Sequence, residues 1–253
     1  MNKKSILKKS LVKLREIIKE NELFDVMVSV KAVPLTPEEA IGNPERRDYP
    51  IIEGKEKVIE ANVLGVKGHA FTDFPQEFNG TLKDVLELSF ISNQNRAVYV
   101  ATLNAVLRHL GIVEGTVHCK DEDPEKCAKE IALYLFEKFG KVKIGLIGLN
   151  PAIAEMLIKT FGVENVKITD LNKQNISFLK YGVKIWDGRD MTQELIKQSD
   201  VILITGTTLV NDTFDFIWEC IHNNNKDYLI YGVTVAGIGK LMGLNRICPY
   251  GRN

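Results

Sequence analysis

The chain has 253 residues, and its 33 Lys+Arg are balanced by 33 Asp+Glu, so the formal net charge is zero. That balance leaves no global field to draw it to nucleic acid or to an anionic membrane. Hydrophobic residues at 45% and charged residues at 26% suit a folded chain with room for one large domain or two modest ones, and no stretch approaches the ~18 uninterrupted apolar residues of a membrane span.

Met1 to Lys19 reads as an amphipathic helix. Leu7, Leu11, Leu14 and Ile18 form one stripe, able to pack on its own domain or to serve a homodimer. Lys8, Lys9, Lys13, Arg15 and Glu16 interrupt every apolar run there, so no signal peptide is expected. Phe24 to Val33 alternates like a strand. Pro34, Pro37, Pro44 and Pro50 then predict an irregular loop, either solvated or a flap presenting Arg46 and Arg47 to a cleft. Lys57–Leu64 and Lys67–Asp73 predict two strands around a turn at Gly65. Thr81 fits the N-cap of a short helix reaching Phe90. Arg96 to Leu110 predicts a helix with Val100, Leu103, Leu107 and Leu110 on one stripe, stopped by Gly111. Residues 1–115 thus form an α+β unit.

Residues 116–253 read differently. A polar connector, Gly115 to Pro124, brings His118 and Cys119 to the start of a helix over Glu125–Phe139, with Pro124 at its first position. From Lys141 onward, apolar runs alternate with helices: strands at Lys143–Leu149, Val166–Asp170, Val183–Asp187, Asp200–Gly206 and Asp227–Thr234. Helices are expected after the first strand (to Thr160), briefly before the third, and over Thr213–Asn223. Strands without inside–outside alternation are buried on both faces, which is the mark of a parallel sheet. The fold class expected is α/β, with a Rossmann-like doubly wound sheet in this half.

Ligands of open α/β sheets bind outside the carboxyl ends of the strands, and three motifs converge there. GLIGLNPA turns from strand to helix at Gly148, with Asn150 placed to cap and Pro151 to follow. Asp170 ends the next strand 22 residues after Gly148, near the spacing of a ribose-binding acid. The G-x-G-x-x-G of a dinucleotide site is nevertheless broken, because Asn150 and Ile153 stand where its second and third glycines would be. TGTTLVNDTFD supplies Thr205, Gly206, Thr207, Thr208 and Asn211, a loop rich in donors and acceptors that either faces a ligand or caps the following helix. GVTVAGIG places Thr234 on the same edge. No G-x-S-x-G elbow, H-E-x-x-H helix or Walker A loop is present.

The four cysteines are Cys119, Cys127, Cys220 and Cys248, with no C-x-x-C pair. Without a secretory signal, free thiols in a reducing cytoplasm are the expectation. Cys127 and Cys220 fall in helices and read as core. His118, Cys119 and Cys248 are the candidate metal ligands, soft sulfur with imidazole suiting zinc, copper(I) or nickel.

These residues resemble the "putative heavy-metal chelation" family, a domain of unknown function. The likeness runs from about Arg96 to Gly251 through NAVL (104–107), HC (118–119), IGLNPA, TD at Asp170, TGTTLVNDTFD, YGVTVAGIG and CPYG (248–251). Residues from about Leu11 to Phe90 look like the partner domain of that family, similar to the N-terminal cap of enolase-type proteins. The resemblance implies two domains, a site at their interface and a link to metal handling, but supplies no reaction. The function expected is binding, modification or synthesis of a small polar metal chelator. The ligand would lie against Gly148, Asn150, Asp170, Thr205–Thr208, Asn211 and Thr234, with Arg96 as a charge clamp. The alternatives are an enzyme using a nucleotide-type cofactor, as a dehydrogenase or methyltransferase does, and a non-catalytic metal or ligand sensor.

Overall fold

The computed structural model describes residues 5–31, 34–54 and 56–253. The first four residues of the expected opening helix, and the end of the first expected strand at Val33, lie outside the described residues. In chain order the first unit contains α1 (Ile6–Glu20), β1 (Met27–Val30), α2 (Pro37–Ile41), β2 (Lys57–Val63), β3 (Val66–Thr72), β4 (Phe78–Thr81), α3 (Leu82–Leu86) and α4 (Asn93–His109). The second contains α5 (Asp123–Phe139), β5 (Ile144–Ile147), α6 (Pro151–Phe161), β6 (Val166–Asp170), β7 (Leu179–Lys180), β8 (Val183–Asp187), α7 (Gly188–Gln198), β9 (Val201–Thr205), α8 (Phe214–Asn223), β10 (Asp227–Tyr231), α9 (Ala236–Met242) and β11 (Arg246–Ile247). No helix among the described residues is long and apolar enough to cross a membrane.

The first sheet is antiparallel in the order β3-β2-β1-β4. Its β2–β3 hairpin turns through Leu64 and Gly65, both at positive φ (52° and 81°), which matches the twist of the paired strands. Ser5 caps α1 by accepting a hydrogen bond from the Lys8 amide, and α1 buries Ile6, Leu7, Leu14 and Ile18 within the chain itself.

The proline-rich segment is not wholly irregular. Thr36 and Glu39 form a reciprocal capping box and Pro37 opens α2. Nor does the segment offer a basic pair to a cleft. Arg46 is bound to Glu125 (2.5 Å), Tyr181 (2.6 Å), Asp48 (3.3 Å) and Glu155, which ties the excursion to α5 and α6.

The second sheet runs β11-β10-β9-β5-β6-β8-β7. Numbering its six parallel strands along the chain gives the order 3-2-1-4-5-6 of a Rossmann sheet. β7 adds an antiparallel edge to β8. The short helix expected before the third parallel strand is instead a set of turns leading into β7, closed at Tyr181 and Gly182, both at positive φ. Helices α7 and α9 and the strand β11 were not anticipated.

The largest departure concerns α4. A one-sided stripe was expected, yet every residue from Arg96 to Leu107 is buried. The helix lies against β2 and β3 on one side and α9 on the other. Glycines permit the approach: a Cβ at Gly68 would stand 2.3 Å from the Ala101 carbonyl, and one at Gly237 would stand 2.1 Å from Leu103. Asn104 joins the two units. Its Nδ2 donates to the His69 (3.0 Å) and Val233 (3.1 Å) carbonyls, and its Oδ1 accepts from the Gly237 amide at 2.7 Å. Both apolar cores cross residue 115: one joins Leu14, Val30 and Leu103 to Ile204 and Ile238, the other joins Ile41 and Val58 to Ile131 and Leu146.

Replacing Asn104 with Leu strands three buried backbone groups, each worth roughly 1–3 kcal/mol when unpaired. Asn104→Leu is therefore expected to lower the unfolding free energy in urea by about 3 kcal/mol or more; a loss below ~1 kcal/mol would show that the seam does not depend on it.

Candidate functional site

At the carboxyl ends of β5 and β9 the chain diverges, into α6 from the first and into a short 3-10 turn at Gly206–Leu209 from the second. This is the switch point of the sheet, where a crevice opens. A cavity of about 840 Å³ lies there. Phe71, Thr72 and Asp73 at the end of β3 close it from the first unit, so it lies between the two sheets.

Gly148 sits at φ +88°, and a Cβ there would stand 2.5 Å from Thr205 Cγ2. The glycine thus answers the neighbouring strand as well as any ligand. Two of the amides that a phosphate would seek, those of Leu149 and Ile153, are already engaged. Asp170 accepts from the Leu149 amide (2.7 Å), the Asn172 amide (2.7 Å) and Asn175 Nδ2 (3.3 Å). Asn150 caps α6 by accepting from the Ile153 amide at 3.1 Å, and Pro151 has no amide hydrogen.

The Thr205–Thr208 loop is partly self-satisfied. Thr208 donates to the Thr205 carbonyl (2.7 Å), and the Thr205 and Thr207 hydroxyls meet at 3.2 Å. Asn211 accepts from the Thr213 amide and hydroxyl, while the Thr213 side chain makes no capping bond to the amides of α8. Thr234 accepts from the Phe71 amide across the seam at 3.2 Å.

Gly148, Asn150, Asp170, Thr205, Gly206, Thr207, Thr208, Asn211 and Thr234 all line the cavity, as do His118, Cys119 and Cys248. Arg96 does not. Its guanidinium is buried and spent on the Val210 (2.6 Å), Phe90 (2.5 Å) and Ile91 (3.0 Å) carbonyls and on Asn93, with Asp212 at 3.6 Å. It shapes the 210–212 turn instead of clamping a ligand.

His118 is placed by its backbone. Its amide donates to His69 Nδ1 (3.2 Å), which leaves Nε2 as the ring nitrogen that donates to Glu60 at 3.0 Å. Burial, then the neighbouring His69, pulls the His118 imidazole down to about 4. Burial raises the Cys119 thiol, and burial followed by the nearby Cys248 pushes Cys127 up to about 12. These groups share one wall of the cavity with Cys127, which had read as plain core. They do not close around an ion: among the described residues no group of three or more His, Cys, Asp or Glu side chains is arranged to hold a metal. The donor set does not fit a metal held by the protein alone.

Sequence reasoning missed Glu56, Asp73 and Tyr231, which also line the cavity. Tyr231 donates to the Gly148 carbonyl at 3.0 Å, and Asp73 accepts from Asn93 Nδ2 at 3.0 Å. Enclosure by protein, then the charges of Asp170 and Asp73, pushes the Glu56 carboxyl up to about 7.

Residues 132–242 match the family DUF364, described as "Putative heavy-metal chelation". The likeness read from the sequence to that family is met in this segment; the HC pair, NAVL and CPYG lie outside the DUF364 match. No curated protein matches the chain. Solved structures of DUF364 proteins of unknown function resemble it. The one from Pyrococcus horikoshii is 14% identical, with a TM-score of 0.52 over 91% of this chain and 80% of its own. The one from Desulfitobacterium hafniense DCB-2 is 14% identical, with a TM-score of 0.52 over 93% of this chain and 83% of its own. At that identity they share the α/β fold with this chain.

A carboxyl raised in the folded state binds its proton more tightly there than in the unfolded chain, so wild-type stability falls as pH rises from about 4.5 through about 7. Glu56→Gln lacks this slope, and the opposing contribution of His118 is common to both proteins. The stability of Glu56→Gln relative to wild type is expected to grow by about 3 kcal/mol across that window, read from urea midpoints. Parallel profiles would show that Glu56 titrates normally.

Proposed function

We propose that the protein binds a small polar organic chelator of metal ions in the cleft between its two sheets. The observation that carries this reading is the 840 Å³ cavity at the switch point, lined by hydroxyls, amides and carboxyls but, among the described residues, without a converging set of metal ligands. Its volume is that of a site for a small molecule, not for a bare ion. Thr205–Thr208, Asn150 and Asn211 would meet the ligand's oxygens, and Asp170 a hydroxyl or amine. Any metal would enter within the chelate, with His118, Cys119 and Cys248 along its path as supplementary soft donors.

A nucleotide-type cofactor is the second reading, favoured by the 3-2-1-4-5-6 strand order and by Asp170 at the end of the second parallel strand. Against it stand the occupied amide of Leu149 and the capped start of α6.

Native mass spectrometry of gently purified protein is expected to show an excess of several hundred daltons over the denatured mass, on the order of one drug-sized molecule. Calorimetric titration with NAD or S-adenosylmethionine is expected to give no saturable heat. Micromolar binding of either would replace the chelator with a nucleotide. An excess of only tens of daltons would point to a metal held by the protein itself.

A further inference from the structure

The cleft is asymmetric in charge. Glu56 faces it from the segment leading into β2, Asp73 from the end of β3 and Asp170 from the end of β6. Asp73 and Asp170 both act electrostatically on Glu56. Among the described residues Glu56 makes no side-chain hydrogen bond and no ion pair, whereas the other two carboxyls accept hydrogen bonds. The only cationic side chain among the described lining residues is Arg189, which is engaged with Asp187 at 3.3 Å. Enclosing a carboxyl beside two others costs free energy, and among the described residues no cation is paired with Glu56 to offset it. Such an arrangement is kept where a ligand completes it.

We propose that this side of the cleft is a subsite for an organic cation: an ammonium or amidinium group of the bound ligand, with Glu56 as its counter-ion and Asp73 and Asp170 alongside. The inference rests on the reading of the cleft as a small-molecule site and names the chemistry that it selects. A metal ion is a poorer match, because the carboxyls do not gather into a set that could hold one. Groups with several N–H donors pointing apart suit separated acceptors better, and each charged hydrogen bond so formed is among the stronger kinds. Among the described residues the groups facing Glu56 are Asp73, Asp170 and the Tyr231 phenol, with Arg189 also lining the cavity. A cation bound among them favours the ionised carboxylate, so binding below neutral pH releases a proton and affinity climbs as pH rises.

The test is calorimetry on the full chain with putrescine and agmatine as probes, glutarate as the anionic counterpart and zinc chloride as the metal alone. Putrescine or agmatine is expected to bind, about tenfold tighter near pH 8 than near pH 6, and glutarate is not. Glu56→Gln is expected to weaken the cation about tenfold to a hundredfold while melting at or above the wild-type temperature near pH 8. Asp73→Asn, at an exposed position, is the second variant, with an expected loss of about threefold to tenfold. Unchanged cation affinity in both variants, preference for glutarate, or zinc binding that depends on Glu56 without any cation binding would overturn the inference. A co-purified organic mass that contains no basic nitrogen and persists in Glu56→Gln would remove the cation subsite and leave the cleft reading standing. Absence of any organic mass together with silence from every probe would remove both.

Discussion

The fold depends on the burial of α4. A helix apolar on one stripe belongs at a surface; this one is enclosed from Arg96 to Leu107, with a sheet on one side and α9 on the other. Full enclosure places two demands on the sequence. Backbones must come close, which Gly68 and Gly237 allow. The polar groups must also find partners inside, which Asn104 provides for two carbonyls and one amide. Once α4 is fixed, β3 on one face and the turn after β10 on the other stand at a set distance. The gap between their ends is the cleft.

That origin explains why so many lining groups are already hydrogen-bonded. Asp170 accepts from the Leu149 amide of the β5–α6 turn, Asn150 accepts from the Ile153 amide, and Thr234 reaches across to Phe71. A loop awaiting a phosphate would leave such donors open to the ligand. Here the rim is pre-shaped by internal bonds, and recognition falls to side chains projecting past it. Among the described residues lining the cavity, Glu56 is the one carboxyl whose side chain makes no hydrogen bond or ion pair, and its enclosure, then the charges of Asp170 and Asp73, raises its pKa.

Much of this was legible in the residues. The parallel strands announced themselves as apolar runs, and the turns at Gly148, Thr205 and Thr234 fell on one edge as the βα alternation requires. Thr81 was readable as a cap because threonine followed at N3 by an acid is a local signal. What escaped was tertiary. Helix α7 buries only Thr192, Leu195 and Ile196, too thin a stripe to stand out. Helix α9 carries two glycines in seven residues and reads as loop, because Gly237 answers Leu103 of a distant helix. Arg96 looked like a free clamp because nothing local reveals the Val210 carbonyl that it holds. Glu56 has no motif at all; enclosure by another unit makes it unusual.

The shared helix also governs how the chain can come to be folded. Residues 5–115 carry α4 with one flank bare until β10 and α9, more than a hundred residues later, have been made. During vectorial synthesis that flank, with Leu103 and Leu107, waits as exposed apolar surface. The first sheet cannot mature as an independent body, and separating the halves into two polypeptides would leave each with an open core. The late arrival of the second half is therefore a step that sets both the order and the cooperativity of folding.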